Sequence, residues 1–426
     1  YISCMIQDYE GNYWVASSRV GLLLLTKSKF TDYNLSVGLP ESMVNAVYEY
    51  KNRTYIATDD GLYIYNQKGE QEVNELTEML KNVSVRHVIA DKKGTMWIST
   101  YRKYGVIKYQ TDGTITVFGR ANGLPGITVN RVLPLTDGKI AIATKEGMAI
   151  LDADGNAEQV YAIGSKLAEV NVLSLFETEN GDILAGTDGE GIFRIERGQD
   201  KLVQYKTEDG LNSDVVTCFS QGQQGIWIGT DSGVCFFSEG FRMISNVEYS
   251  NSIYDIIIDQ GSVWLIGSLG ILRSSEDELL GSNGISERYL ATGDGLIKTI
   301  STTGNACIDQ NGKLYICCNE GISVLNTEHI WYNEMPPIIK VTKIDVDGVS
   351  YEFDDLSDGL MIKNDASKIT IDFAVFSYMN RGNMKVEYQL EGFDAKKTEL
   401  KGDDVLQAVY TNLNGGVYTF TVNAYN

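Results

Sequence analysis

Histidine and proline are scarce in this chain: two His, His87 and His329, and five Pro among 426 residues. Two histidines leave no ligand set for a Cys/His zinc site. The six cysteines, Cys4, Cys218, Cys235, Cys307, Cys317 and Cys318, form no CxxC pair. Cys317 and Cys318 are adjacent, so on a strand they point to opposite faces. The expectation is buried free thiols in strands. Long apolar runs are also missing. No window reaches the ~18 apolar residues that cross a bilayer, and Gly21 to Leu25 is too short and lacks signal-peptide flanks. The first residue falls directly into a strand-like pattern without an initiator Met, so the chain reads as a piece of a longer protein.

Positive charge is outweighed: the formal net charge is −21. Such a chain repels phosphate backbones and anionic lipid, which argues against nucleic acid and membrane surfaces as partners. What is abundant is Gly (43) and Tyr (25). Together with few prolines, this composition suits many short strands joined by tight turns.

One pattern recurs: an alternating strand, a polar turn with Gly, an aromatic or aliphatic anchor followed by small or apolar residues and Ser/Thr, then a second Gly. The clearest copies are DYEGNYWVAS (8–17), DKKGTMWIST (91–100), ENGDILAGT (179–187), QQGIWIGT (223–230) and DQNGKLYICC (309–318). The anchors are Trp14, Tyr55, Trp97, Ala141, Leu184, Trp227, Trp264 and Tyr315. They stand about 43 residues apart, with one short interval before Trp264 and one long one after it, as uneven loops would give. In the D-x-x-G turns the Asp can accept backbone N–H bonds while Gly takes positive φ. Roughly four strands fit in each unit, which is the make-up of a propeller blade. Helical spacing shows only at Val73, Leu76 and Leu80, which predicts one short helix.

Eight anchors imply eight blades. If the first repeat is left over from a preceding ring, the count is seven; eight is the preferred number. The pattern stops near Asn326, and Pro336-Pro337 breaks the chain. Strand-like runs follow at 338–346, 368–376, 385–393, 408–413 and 416–425, separated by turn signals. This reads as an immunoglobulin-like β-sandwich. The expected fold is therefore all-β: a propeller over 1–333 and a sandwich over 334–426.

The repeats resemble two-component regulator propeller repeats. The tail resembles the triple-tyrosine (Y_Y_Y) domain through PPIIKVTKIDVDG (336–348), VEYQLEGFD (386–394) and YTNLNGGVYTFTVNAYN (410–426). One departure is the Trp usual shortly after LEGFD, where Ala395-Lys396-Lys397 stand. The resemblance implies the extracytoplasmic sensor region of a membrane-bound signalling protein. The membrane anchor and the histidine kinase or other output module would lie outside this chain. It also implies an oligosaccharide as the sensed ligand and a homodimer through the sandwich. D-x-x-G-x-x-W also looks like the Asp-box of sialidase-type propellers, but there the box is a structural turn. Carboxylate neighbours such as Asp59-Asp60, Asp354-Asp355 and Asp403-Asp404 do not establish a facing acid/base pair. Neither His accompanies a nucleophile motif. Asp152-x-Asp154-Gly155 opens like a calcium loop but lacks the later ligands. The reading is therefore a binding protein without a cofactor or metal. A protein-interaction scaffold without a small-molecule site is the alternative, and a glycoside hydrolase the remote one. Candidate ligand residues are those on loops after the anchor strands: Arg19; Tyr101, Arg102 and Tyr104; Asp188 and Glu190. If these loops share one rim, they surround one mouth.

Overall fold

The computed structural model describes residues 1–152, 154–161, 165–199, 201–238, 240–247, 251–281, 289–352, 360–363, 366–378, 384–402 and 404–425. The described residues are almost entirely strand and turn, and no helix is long and apolar enough to cross a membrane. They divide into two compact units. One is Lys29–Thr292 with Leu296–Ile330. The other is Tyr1–Ser28, Gly293–Gly295 and Trp331–Asn426.

The first unit is a ring of seven antiparallel sheets. Blade one is Val44–Tyr50, Arg53–Thr58 and Gly61–Asn66, with a single bridge from Tyr65 to Gln71 at its outer edge. Blades two to six each have four strands in sequence order, and their innermost strands begin at Val85, Val129, Val172, Val216 and Ile253. Blade seven takes Cys307–Ile308, Lys313–Cys318 and Gly321–Asn326. Its outer strand, Phe30–Asp32, comes from before blade one. The inner strands pack in succession and the seventh meets the first. Backbone bonds join this seam: Val47 N–H to Asn305 O (3.0 Å) and Asn305 N–H to Asn45 O (2.9 Å).

The preferred count of eight blades is therefore corrected to seven in the ring. The eighth copy of the repeat exists: Ile2–Gln7, Tyr13–Ser17 and Gly21–Leu25 form a three-stranded sheet. It belongs to the other unit, because the ring is already closed by Phe30–Asp32. Every residue of Ile2–Gln7 is exposed, Cys4 among them, so the expectation of buried thiols fails there. Cys218, Cys235, Cys317 and Cys318 are buried and free as expected.

All eight anchors fall in the second strand of their sheets. Trp97, Trp227 and Trp264 are fully buried between blades. An indole removes 150–250 Å² from water, so each stabilises the ring by about 4–6 kcal/mol at 25 cal/mol/Å². The Asp turn does more than turn. Asp91 accepts from Lys93 N–H and Thr95 N–H through one oxygen (both 2.9 Å) and from the Trp97 indole through the other (3.1 Å). Asp8 repeats this with Trp14, and Asp309 with the Tyr315 hydroxyl. The carboxylate thus fixes turn and anchor together. The predicted helix is present as Glu75–Met79, capped by Asn74. The long interval before Tyr315 contains an extra helix, Glu276–Leu280, between the third and fourth strands of blade six.

In the second unit, the tail forms two sheets. One orders Val349–Glu352, Ile338–Val346, Lys368–Phe376 and Gln407–Thr411. The other orders Thr398–Lys401, Lys385–Glu391 and Thr419–Tyr425. Phe373, Val386, Leu390, Ala408 and Tyr410 fill the space between. Asp394 of the LEGFD segment accepts from Leu390 N–H (2.7 Å) and from the Tyr410 hydroxyl (2.9 Å), tying the two sheets. The first-repeat sheet touches this sandwich: Glu10 accepts from Ser377 Oγ and Tyr378 N–H (both 2.9 Å), and Trp14 meets the Tyr378 ring edge-on.

Candidate functional site

The inner strands carry a feature beyond the anchor pattern. In blades one to six the ladder to the second strand slips by one residue near its start: Val44/Ala46, Val85/His87, Val129/Arg131, Val172/Ser174, Val216/Cys218 and Ile253/Asp255. A bulge re-aims side chains and frees a backbone carbonyl from the ladder. At four of the six, the carbonyl of the first bulge residue is taken by a polar side chain from the preceding blade. Asn45 Nδ2 donates to Val85 O (2.9 Å), Asn130 Nδ2 to Val172 O (2.8 Å), Ser174 Oγ to Val216 O (3.2 Å) and Thr217 Oγ1 to Ile253 O (2.7 Å). The bulges thus latch neighbouring blades around the central channel.

The same positions place charge in the channel. Asp255 of blade six accepts from Ala306 N–H (2.7 Å) and Asn305 Nδ2 (3.1 Å) of blade seven. His87 of blade two meets Asn305 Oδ1 across the ring at 3.2 Å. Arg131 of blade three feels Asp255, Cys218 and Cys317 electrostatically, on blades six, five and seven. Burial pushes the Asp255 carboxyl up to about 6, with Arg131 and its hydrogen bonds opposing. Burial first, and then Arg131, push His87 down to about 3.

These shifts act on stability in opposite directions. Between 3.8 and about 6 the folded Asp255 holds a proton that the unfolded chain has released, so its contribution falls as pH rises. Between about 3 and 6.5 the unfolded His87 holds a proton that the folded one lacks, so its contribution grows as pH rises. Asp255→Asn removes the first term. Relative to wild type, the variant is expected to gain about 2–3 kcal/mol between pH 4 and pH 7. Urea unfolding at both pH values measures this; an unchanged gap contradicts it.

The sequence-chosen residues divide between the units. Arg19 lies in the first-repeat sheet's unit, and the other five lie on loops of the ring. Tyr101 and Tyr104 are half-buried, and Arg102 is exposed with φ +64°. The Tyr101 ring is approached by two guanidiniums, Arg86 at 4.6 Å and Arg102 at 4.9 Å. Tyr104 packs on the core between blades one and two. Asp188 accepts from Asn171 Nδ2 (3.2 Å), and Glu190 pairs with Lys206 (2.7 Å) and Gln204. Asp188 and Glu190 are therefore engaged by their neighbours. Asp152 likewise caps an ordinary turn, accepting from Asp154 N–H and Asn156.

Sequence reasoning missed a groove at the other ends of the inner strands. It encloses about 920 Å³ where blade seven meets blade one. Tyr33, Tyr50, Asn52, Gln67, Asn311 and Tyr315 line it. The tight turn at Lys51-Asn52, with both residues at positive φ, supplies one wall, and the Asp309 turn supplies another. Thr54 donates to Glu49 within it, and burial pushes the Glu49 carboxyl up. Tyr33 is raised for the same reason.

Residues 377–426 match the Y_Y_Y domain. No curated protein matches the chain. Among solved structures it is similar to the extracellular domain of the hybrid two component system BT3049 from B. thetaiotaomicron. The identity is 20%, the TM-score 0.74, and the match covers 100% of this chain and 59% of that one. The extracellular domain of BT4673 from the same organism is 17% identical with a TM-score of 0.58, covering 99% of this chain and 60% of that one. This chain thus spans about three fifths of the length of both. A streptogramin B lyase, 16% identical with a TM-score of 0.55, covers 70% of this chain and 97% of its own. These likenesses bear out the all-β fold, and the domain match bears out the resemblance read from the tail.

Proposed function

We propose that the chain is the ligand-sensing part of a membrane-bound signalling regulator, outside the cytoplasm, and that it binds an oligosaccharide in the groove between blades seven and one. The groove's lining carries the reading. Sugars are held by flat ring surfaces against their C–H faces and by side chains with both donors and acceptors. Tyrosine planes beside Asn and Gln amides supply both, in a volume within the 300–1,000 Å³ usual for ligand sites. The structural likeness to extracellular domains of hybrid two component systems supports the sensor role. In this reading the protein binds without turnover, and ligand binding passes to an output module through dimer contacts of the Y_Y_Y sandwich.

Thermal-shift screening against neutral oligosaccharides tests it, because a ligand of the folded state raises Tm. A hit is expected to lose at least tenfold in affinity in Tyr50→Ala or Asn52→Ala. No shift across the panel, or an affinity indifferent to both changes, overturns the groove as the site.

A further inference from the structure

We propose that a cavity between blades one and two, beside the groove, is a second sugar subsite, so that the ligand is an oligosaccharide crossing the Lys51-Asn52 turn from one to the other. The inference rests on the groove being the oligosaccharide site.

The register of blade one builds one wall. Tyr50 stands opposite Arg53 on the second strand, and Tyr55 stands opposite Ile64 on the third. Arg53 and Tyr55 are two apart on one strand, so all four residues share a face. Blade two answers with Met96 and Tyr109, which are partners on its second and third strands. Further along, the two faces meet in the core that holds Ala57, Leu62, Val88 and Ile98. At the turn end they stay apart and enclose about 330 Å³. Asn74, the cap of the short helix, and Gln110, in the hairpin between the third and fourth strands of blade two, complete the lining.

The cavity leaves hydroxyls without partners. Tyr55 is 8% exposed, yet its hydroxyl, like those of Tyr50 and Tyr109, has no hydrogen-bond partner among the described residues. None of the three is among the unpartnered oxygens sealed from solvent. Burial raises the Tyr55 pKa, Arg53 opposes, and Glu72, Tyr109 and Tyr50 add to it. All four neighbours line the cavity, so the hydroxyl opens into it. A hydroxyl so deeply placed takes its partner from water or from a ligand.

Groove and cavity belong to one surface. Tyr50 and Lys51 line both. The turns beside them lie at 309–313 in blade seven, 51–52 in blade one and 91–95 in blade two. Each joins the first and second strands of its blade, so all three open on the same side of the ring. A Cβ on Gly94 would stand 2.9 Å from the Tyr50 hydroxyl, so Tyr50 reaches from blade one to the turn of blade two.

Chemistry narrows the occupant. Tyrosine planes, with phenol and amide groups that both donate and accept, suit a hydroxylated ring. Arg53 is spent on Glu72 (2.6 Å), so that pair calls for no charge on the ligand. The volume is at the low end of ligand sites, which suits the end residue of a chain whose remainder lies in the groove.

Isothermal titration of the intact chain tests this with ladders of two to six residues cut from neutral glucan, mannan, xylan, arabinan, galactan and fructan. In a ladder that binds, affinity is expected to rise at least tenfold from the shortest bound member to the longest. Tyr109→Ala is expected to abolish that rise and to leave the shortest bound member within about twofold of wild type. Tyr55→Phe removes only the hydroxyl. It should cut the rise several-fold, and it serves if the Tyr109 variant does not fold. If no ladder binds, or binding ignores Asn52→Ala, the groove reading falls and this inference with it. Suppose instead that a ladder binds and Asn52→Ala weakens it. Then the second subsite alone is wrong if affinity is flat with length, if the rise survives both tyrosine changes, or if Tyr109→Ala weakens all lengths alike.

Discussion

Gly191→Ala is expected to destabilise the ring by about 3 kcal/mol or more, through two effects that add. Gly191 stands just before the third strand of blade four, Ile192–Ile195, at φ +71°, where an L side chain is strained. A Cβ there would also stand 2.1 Å from the carbonyl oxygen of Tyr205, at the end of the fourth strand. That oxygen is backbone and cannot swing away. Gly147 repeats the arrangement in blade three, with a Cβ 2.3 Å from Tyr161 O. The second Gly of the repeat thus lets the outer strand of a blade lie close as well as turning the chain. Urea unfolding of the purified variant measures the loss. A cost under about 1 kcal/mol would show that the outer strand can shift aside.

The second large effect is expected from Asp91→Ala, at about 2–4 kcal/mol. The substitution removes two charge-assisted bonds to the turn and leaves the indole N–H of the buried Trp97 without its acceptor. The protein contains its own comparison. Trp227 and Trp264 sit as deeply, but their indole nitrogens have no partner among the described residues. Blade five has no Asp in its turn, and in blade six the turn after Asp259 is shorter. Those blades therefore fold without the clasp, so Asp91→Ala should remain folded while its Tm falls. Asp91→Asn should recover part of the loss, since an amide oxygen can still accept. If Ala and Asn variants melt alike, the carboxylate's contacts are not what stabilises the turn.

Much of the fold was legible because it is local. The Asp, anchor and Gly lie within one hairpin, and their chemistry repeats with the period of the blade. The short helix at Glu75–Met79 and the main tail strands were also within reach of spacing and turn signals. The blade count was not. The first repeat has the same internal pattern as the rest, and its exclusion depends on which strand pairs with Gly321–Asn326. That pairing joins Thr31 to Val324, nearly the full length of the ring apart in sequence. The groove was hidden for the same reason, since Asn52 and Asn311 become neighbours only when first and last blades meet. The channel residues left a trace that was overlooked. Arg86-His87, Asn130-Arg131 and Tyr254-Asp255 are polar pairs held between aliphatic residues of the inner strands.

That trace has a wider meaning. Val44, Val85, Val129, Val172, Val216 and Ile253 stand at the start of six successive bulges and are all fully buried. The residues two places after them, at the position that gives the channel His87, Arg131 and Asp255, are Ala46, His87, Arg131, Ser174, Cys218 and Asp255, all different. Within one molecule, the architecture holds one position constant and leaves the residue two places on free to vary. A ring built this way can change what its channel presents, one blade at a time, without renegotiating how its blades pack.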